Sequence, residues 1–270
     1  MSDVPEAIYQ RPRDYDLEHV GDTEDVNFFV DLVAGFKPKR VLELACGNGR
    51  VTLPLTETAA KIGFDVVGLE LVPEMLDDAH QKCETMRPEV RKHLLLLQGD
   101  MRTWQASQPF EVIITPCSSM CHLLELDDQI AAWHQAYENL VPGGRFIVDV
   151  TMPDLGSYVD SFRTPPREIM EIDLDTFDEA TQTRMLRYKT TRYLADKQCA
   201  HIRFLYDKYL GDAQPEHTLS DFESHVYYPR EMELLFRHTG FEIEKIYGDY
   251  RGRPLKPSSP QMIFCGVKSC

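Results

Sequence analysis

Residues 41–49 read Val41-Leu42-Glu43-Leu44-Ala45-Cys46-Gly47-Asn48-Gly49, and this stretch decides the fold. Its first half is a short apolar run of β character with one acid inside it, and its second half is a glycine turn. Residues 51–62 then read as a helix, with Pro54 tolerable because it falls in the first turn. A glycine turn between a strand and a helix carries backbone N–H groups to the carboxyl edge of a parallel sheet, where nucleotide-like ligands bind. The turn by itself does not say which nucleotide. The dinucleotide fingerprint needs Gly-x-Gly-x-x-Gly, and Thr52 stands at the third glycine. The acid inside Val-Leu-Glu-Leu needs a partner if it is buried.

Outward from the turn, strand and helix patterns alternate. Residues 65–69 form a second strand closed by Glu70, and 73–86 a helix; 94–98 form a third strand, stopped by Gly99-Asp100. Residues 110–114 form a fourth strand that runs into Thr115-Pro116-Cys117-Ser118. A helix over 127–139, opened by an Asp that can cap it, leads through the turn Leu140-Val141-Pro142-Gly143-Gly144 to a fifth strand, 145–150. This rhythm is that of parallel βαβ units. After Pro153 it changes to long runs of alternating polarity, 167–174, 183–194, 200–210 and 219–227, which suit antiparallel strands with one wet face. A helix over 229–240 and strands over 241–247 and 261–267 return to the first pattern. The division expected is a helical segment 1–38 over the ligand site, a core of 39–153 and 228–270, and an antiparallel β insertion 154–227 covering a substrate pocket.

Composition limits the function classes. The chain has 270 residues, enough for a sizeable core, and 43% hydrophobic with 27% charged residues is ordinary for a soluble globular protein. The longest apolar stretches fall far short of the roughly 20 residues that span a bilayer. The acidic start Met1-Ser2-Asp3-Val4-Pro5-Glu6 lacks the basic and apolar regions of a secretory signal. Seven scattered cysteines in a chain of this length read as reduced thiols, so a cytoplasmic protein is expected. Cys117, Cys121 and His122 lack the spacing of a metal site, and none is expected. A formal net charge of −15 disfavours nucleic-acid partners, whose binding rests on basic groups.

The set of motifs now resembles one family. Residues 41–49 are similar to the first motif of class I, S-adenosylmethionine-dependent methyltransferases; Glu70 resembles their ribose-binding acid, Gln98-Gly99-Asp100-Met101 their adenine-side motif, and residues 140–144 their post-helix turn. The resemblance covers residues 40–150 closely and the chain from Tyr228 onward more loosely. It implies an α/β, Rossmann-like, doubly wound sheet of seven strands with the last strand antiparallel, to which this chain adds an antiparallel β insertion. The layout of that insertion resembles bacterial sugar N-methyltransferases and the glycine N-methyltransferase group.

Carried onto this sequence, the resemblance implies backbone contacts to the methyl donor from Ala45 and Gly47 in the turn that Gly49 closes. It places Glu43 near the donor's amino group, Glu70 on its ribose, Leu71 and Met75 beside the adenosine, and Asp100 and Met101 at the adenine. Pro116 and Cys117 would border the methyl, and Tyr15, in Arg13-Asp14-Tyr15-Asp16, resembles a tyrosine folded over the cofactor. The product would be S-adenosylhomocysteine. Methyl transfer is an in-line displacement that needs a lone pair on the acceptor, hence a base when the acceptor carries a proton. His122 is the candidate base; His122, Arg167, His225 and Tyr228 are candidate acceptor contacts. The partner expected is a small-molecule N or O acceptor, with no membrane and with a homodimer admitted. The competing readings are a nicotinamide-dependent oxidoreductase, which shares the glycine turn and Glu70, and a non-catalytic binding or assembly protein.

Overall fold

The computed structural model describes residues 7–211 and 213–269; the N-terminal hexapeptide read above for a signal lies outside them. Chain contacts divide the protein into two compact units, one of residues 23–152 and 227–269 and the other of residues 7–22 and 153–226.

In the larger unit, seven strands form one sheet: β1 (Arg40–Leu44), β2 (Asp65–Glu70), β3 (Leu94–Gln98), β4 (Phe110–Thr115), β5 (Leu140–Thr151), β10 (Phe241–Tyr247) and β11 (Gln261–Lys268), in the order β10-β11-β5-β4-β1-β2-β3. β1 pairs in parallel with β2 on one side and β4 on the other, so the chain reverses its direction of travel across the sheet at β1. That switch point opens a crevice at the carboxyl ends of the strands. β11 is antiparallel to both β5 and β10, which leaves it the one reversed strand of this sheet. The expected α/β fold, with its last strand antiparallel and a separate antiparallel sheet, is the observed one.

Helices cover both faces. α2 (Glu24–Phe36) and α3 (Thr52–Ile62) bury Phe29, Val33, Leu55 and Ala59 against one face, where Val41, Ile114 and Ile147 point. α6 (Leu126–Glu138) and α7 (Pro229–His238) bury Trp133, Ala136 and Phe236 against the other, where Leu42, Ile113, Phe146 and Val148 point. α4 (Pro73–Glu84) packs Leu76 and Ala79 against Cys46 and Leu96. Because side chains alternate along a strand, Glu43 and Asp149 point to the α2 and α3 side, as Val41 and Ile147 do.

Three sequence expectations are corrected. Residues 140–144 are not a turn outside the sheet: β5 begins at Leu140, and between the pairs Phe110↔Leu140 and Val112↔Arg145 the two strands advance unequally, so Pro142-Gly143-Gly144 forms a bulge within the strand. α6 begins at Leu126, which puts Asp127 and Asp128 inside the first turn, where they complement the helix dipole rather than cap it. The insertion's first strand, β6, is Glu171–Asp178, shifted from 167–174. Its register is set by the hairpin turn, in which the Asp178 carboxylate accepts from the Ala180 N–H at 2.9 Å and the Thr181 hydroxyl at 2.6 Å.

In the smaller unit, β6, β7 (Thr183–Leu194), β8 (Cys199–Leu210) and β9 (Glu216–His225) form an antiparallel sheet in chain order. α1 (Pro12–Glu18) belongs to this unit: Leu17 and Tyr15 pack with Met185 and Tyr206, Lys208 pairs with Asp14 at 2.8 Å, and Arg187 pairs with Glu18 at 2.8 Å. The segment 1–38, read above as one piece, is therefore divided between the units after Asp22.

Gly266 on β11 marks the tightest contact between strand and helix. A Cβ there would press into the Phe236 ring of α7 and come within 3.1 Å of the Phe241 Cβ. Gly266→Ala is expected to lower the unfolding free energy by about 2 kcal/mol through overpacking, read as a lower urea midpoint with an unchanged slope.

Candidate active site at the carboxyl edge of the sheet

The glycine turn that follows β1 is held by an acid at the end of β2. Ala45, Gly47 and Gly49 have φ of 54°, 56° and 87°, all left-handed. Glycine adopts such angles freely, whereas for Ala45 the conformation costs about 1–2 kcal/mol. Glu70, buried at the end of β2, takes the Gly47 N–H on one carboxylate oxygen and the Val72 N–H on the other, each at 2.8 Å. Burial pushes the Glu70 carboxyl upward, and these N–H donors pull it back part of the way. Beneath the turn, Met75 is fully buried, with its Cε 3.3 Å from the place a Cβ of residue 47 would take.

Glu43 is buried at 3% exposure and accepts from the Thr52 hydroxyl. Thr52 is the residue that breaks the dinucleotide fingerprint, and the structure shows what it does: it partners the acid of β1 where a glycine would offer nothing. Burial raises Glu43 to about 8, against the opposing pull of Thr52 and Arg50, so the group is largely protonated at neutral pH. A cation brought to it recovers its charged form. A carboxyl with this bias suits a ligand ammonium, and a carboxylate at the end of β2 suits a vicinal diol.

At the end of β3, Asp100 is paired with Arg102 through Nη2 at 2.6 Å, and Arg102 reaches Asp128 at 3.0 Å. Partial burial works against the Asp100 charge, yet Arg102 outweighs it and holds the carboxyl below its ordinary range. Leu71 is 55% exposed, although it directly follows the buried Glu70. Met101 is half-buried.

The loop after β4 contains a second strained turn. Cys117 and Ser118 have φ of 57° and 58°, two consecutive left-handed residues, neither a glycine. Pro116 ahead of them is buried. The Cys117 thiol donates to Asp25 of α2 at 3.2 Å and receives an N–H of Arg50, the residue after Gly49. Arg50 also donates to Asp25 at 3.0 Å, with side-chain exposures of only 14% and 9% for the ion pair. On the far side of the turn, Asp149 of β5 takes the Cys117 N–H at 3.1 Å and the Tyr250 hydroxyl at 2.9 Å. Burial lifts Asp149 to about 7 against these two donors.

His122 ends the short 3₁₀ turn Ser119–His122. Its side chain is exposed at the surface, and desolvation by the protein around it disfavours the imidazolium and lowers it to about 4. Tyr228 precedes α7, where its N–H donates to Glu231 at 3.2 Å. Tyr227, next to Tyr228, is 1% exposed and packs on Trp133, its hydroxyl donating to the Met120 carbonyl at 3.2 Å. Tyr15, Arg167 and His225 belong to the smaller unit. There Tyr15 packs on His19 with 4.3 Å between ring centroids, Arg167 lies exposed ahead of β6, and His225 is buried beside Gln198.

Sequence reasoning missed Asp25, Arg50, Asp149 and Tyr250. Asp149 had a local signal, an acid inside Ile147-Val148-Asp149-Val150 like that of Glu43; Asp25 and Tyr250 had none, because their partners are distant in the chain.

An open α/β sheet with a glycine turn after β1 and acids ending β1, β2 and β3 defines a nucleoside-binding enzyme architecture. Residues 41–144 match the family described as methyltransferase domain. The chain is 27% identical over 252 residues to a dTDP-3-amino-3,4,6-trideoxy-alpha-D-glucopyranose N,N-dimethyltransferase of Streptomyces venezuelae, covering 89% of this chain and 94% of that one. Among solved structures, the CcbJ methyltransferase of Streptomyces caelestis superposes with a TM-score of 0.74 at 23% identity, covering 93% of this chain and 98% of that one. CalS10, an amino pentose methyltransferase of Micromonospora echinaspora solved with S-adenosylmethionine bound, superposes with a TM-score of 0.70 at 18% identity over 100% of both chains. Over nearly its whole length the chain is similar to methyltransferases, and its fold is that of the class I, S-adenosylmethionine-dependent methyltransferases. The ammonium-ready Glu43 and the carboxylate of Glu70 fit the two polar ends of S-adenosylmethionine, the ligand bound in CalS10.

The Asp25–Arg50 pair is the strongest polar tie between α2 and the glycine turn. Asp25→Ala leaves the guanidinium of Arg50 without its carboxylate and is expected to cost about 3 kcal/mol of stability, measured by thermal and urea denaturation.

Proposed function

We propose that this enzyme methylates a nitrogen of a small amine, of the class that amino sugars represent. The observation that carries the reading is the near full-length likeness to an amino-sugar N,N-dimethyltransferase, which includes the four-stranded insertion as well as the core. The acidic overall charge agrees with a cationic or neutral small acceptor rather than a polyanion.

In this reading Glu43 pairs with the donor's ammonium and Glu70 accepts from its ribose hydroxyls. Leu71 offers an apolar face to the adenine, with Asp100 and Met101 at its edge. The N–H groups of the glycine turn and the Cys117–Ser118 turn border the methionine end. S-adenosylmethionine supplies an electrophilic methyl group on a sulfonium. The protein's work is alignment, exclusion of water and management of one proton. His122 is the candidate base in this reading: the protein around it disfavours its imidazolium, so the neutral ring accepts a hydrogen bond from an acceptor that binds as the free amine, turning the nitrogen lone pair toward the methyl. Tyr228 is a candidate contact to the acceptor.

Binding of the product analogue tests the donor half. Free Glu43 holds a proton below about 8, and a ligand ammonium lowers its pKa; binding therefore releases a proton, and affinity weakens as pH falls below 8. Calorimetry with S-adenosylhomocysteine should show affinity rising about tenfold from pH 6.5 to 8 in the wild type and a flat profile in Glu43→Gln. A slope that persists in Glu43→Gln assigns the proton elsewhere. NADH should give no thermal stabilisation where S-adenosylhomocysteine does.

Assays with dTDP-amino sugars test the acceptor half. His122→Ala should lower kcat by about 30-fold while S-adenosylhomocysteine affinity stays within about twofold of wild type. Equal losses in both would make His122 structural, and absence of turnover with every amino sugar would redirect the search to other amines.

A further inference from the structure

Asp149 stands on β5 between Val148 and Val150, and all three are completely buried. An acid in such surroundings requires partners. Its Oδ2 accepts from the Cys117 N–H at 3.1 Å and the Tyr250 hydroxyl at 2.9 Å, while its Oδ1 has no hydrogen-bond partner among the described residues. The same stretch of β5 grips the next residue of the loop: the Ser118 N–H donates to the Asp149 carbonyl at 3.1 Å, and the Thr151 N–H donates to the Ser118 hydroxyl at 3.0 Å. What these bonds hold is the pair of left-handed residues Cys117 and Ser118. Glycines would take this shape without restraint and would leave it as readily. Side-chain-bearing residues pinned at several points give one shape.

We propose that Asp149 is a positioning residue for the methyl-transfer site: braced by Tyr250, its carboxyl holds the Cys117–Ser118 turn in its left-handed form and so fixes where the Cys117 thiol and the following turn with His122 stand. The relevance of that placement to catalysis rests on the reading of residues 116–122 as part of the site. The role is acceptance of hydrogen bonds, not charge. An amide oxygen can therefore serve in place of the carboxylate, and a methyl group cannot.

Cys117 is the one exposed cysteine among the described residues, against five buried ones, so its alkylation rate reports on the turn. Although the residue reaches the surface, its thiol is held well above the ordinary range, by desolvation from the protein around the sulfur first, against the pull of Arg50, with Asp25 and Asp149 adding to it, which keeps it slow to react. Site-resolved labelling with iodoacetamide, read by mass spectrometry, should show Asp149→Ala raising the Cys117 rate about tenfold, with Cys46, Cys83, Cys121, Cys199 and Cys265 still protected. Asp149→Asn should stay within about threefold of wild type, and Tyr250→Phe, which removes only the brace, should raise the Cys117 rate about threefold. An unchanged Cys117 rate in Asp149→Ala overturns the proposal, as does an Asn variant that behaves like the Ala variant.

If Asp149→Ala does not fold, all cysteines react together and Tyr250→Phe decides: a rise confined to Cys117 supports the proposal and no rise overturns it. S-adenosylhomocysteine binding by the wild type is measured in parallel. Its absence would sink the donor-site reading and leave the labelling result on the turn standing.

Discussion

The carboxylate of Glu70 closes the loop on which the site depends. It ends β2, yet it hydrogen-bonds the turn after β1 through the Gly47 N–H and the turn before α4 through the Val72 N–H. Two loops that leave adjacent parallel strands are thereby held at one height along the carboxyl edge. Without that tie the turn, left-handed at Ala45 and Gly47, would be joined to β2 through the Cys46 N–H to Leu69 carbonyl bond, and the N–H groups beyond it would lose their direction. The acid does structural work in the free protein, and under the proposed function the same oxygens would serve a ribose diol, at little net loss of hydrogen bonds.

The same economy recurs at the other strand ends. Glu43 is pushed toward its neutral form by burial and is partnered by Thr52, an arrangement suited to a ligand cation. Asp25 and Arg50 neutralise each other beside the Cys117 thiol, and Asp149 with Tyr250 steadies the turn from the opposite side. These groups share the face of the sheet covered by α2 and α3. Alternation along β1 and β5 puts Glu43 and Asp149 there, while Leu42, Leu44, Val148 and Val150 build the opposite core. One face carries a polar network toward its carboxyl end; the other stays apolar through Trp133, Phe146 and Phe236.

The smaller unit is organised on a different principle. Its four long strands pair in chain order with short connections, and their alternating sequence leaves a wet face. α1 is fixed there by the Asp14–Lys208 and Glu18–Arg187 ion pairs and by packing of Leu17 with Met185 and Tyr206. Tyr15 thus has its immediate partners within that unit.

Much was legible in the sequence because it is local. Periodicity located every strand of the main sheet within about five residues, the glycine turn and the acids at 43, 70 and 100 carried the resemblance to methyltransferases, and helical pattern returned after residue 228. The boundaries that failed were those set by pairing: β6 took its register from the Asp178 turn, and Pro142-Gly143-Gly144 became a bulge because β4 holds both of its flanks. Only the tertiary structure could place Asp25, Arg50, Asp149 and Tyr250 around Cys117, since no spacing rule relates residues 25, 117 and 250. It also explained Thr52, a mismatch in the sequence and a hydrogen-bond donor in the fold. Strand and helix patterns are consequences of nearest-neighbour geometry and can be read from one segment at a time. A polar cluster depends on which segments the sheet order brings to one edge, and that order is decided by the packing of the whole core.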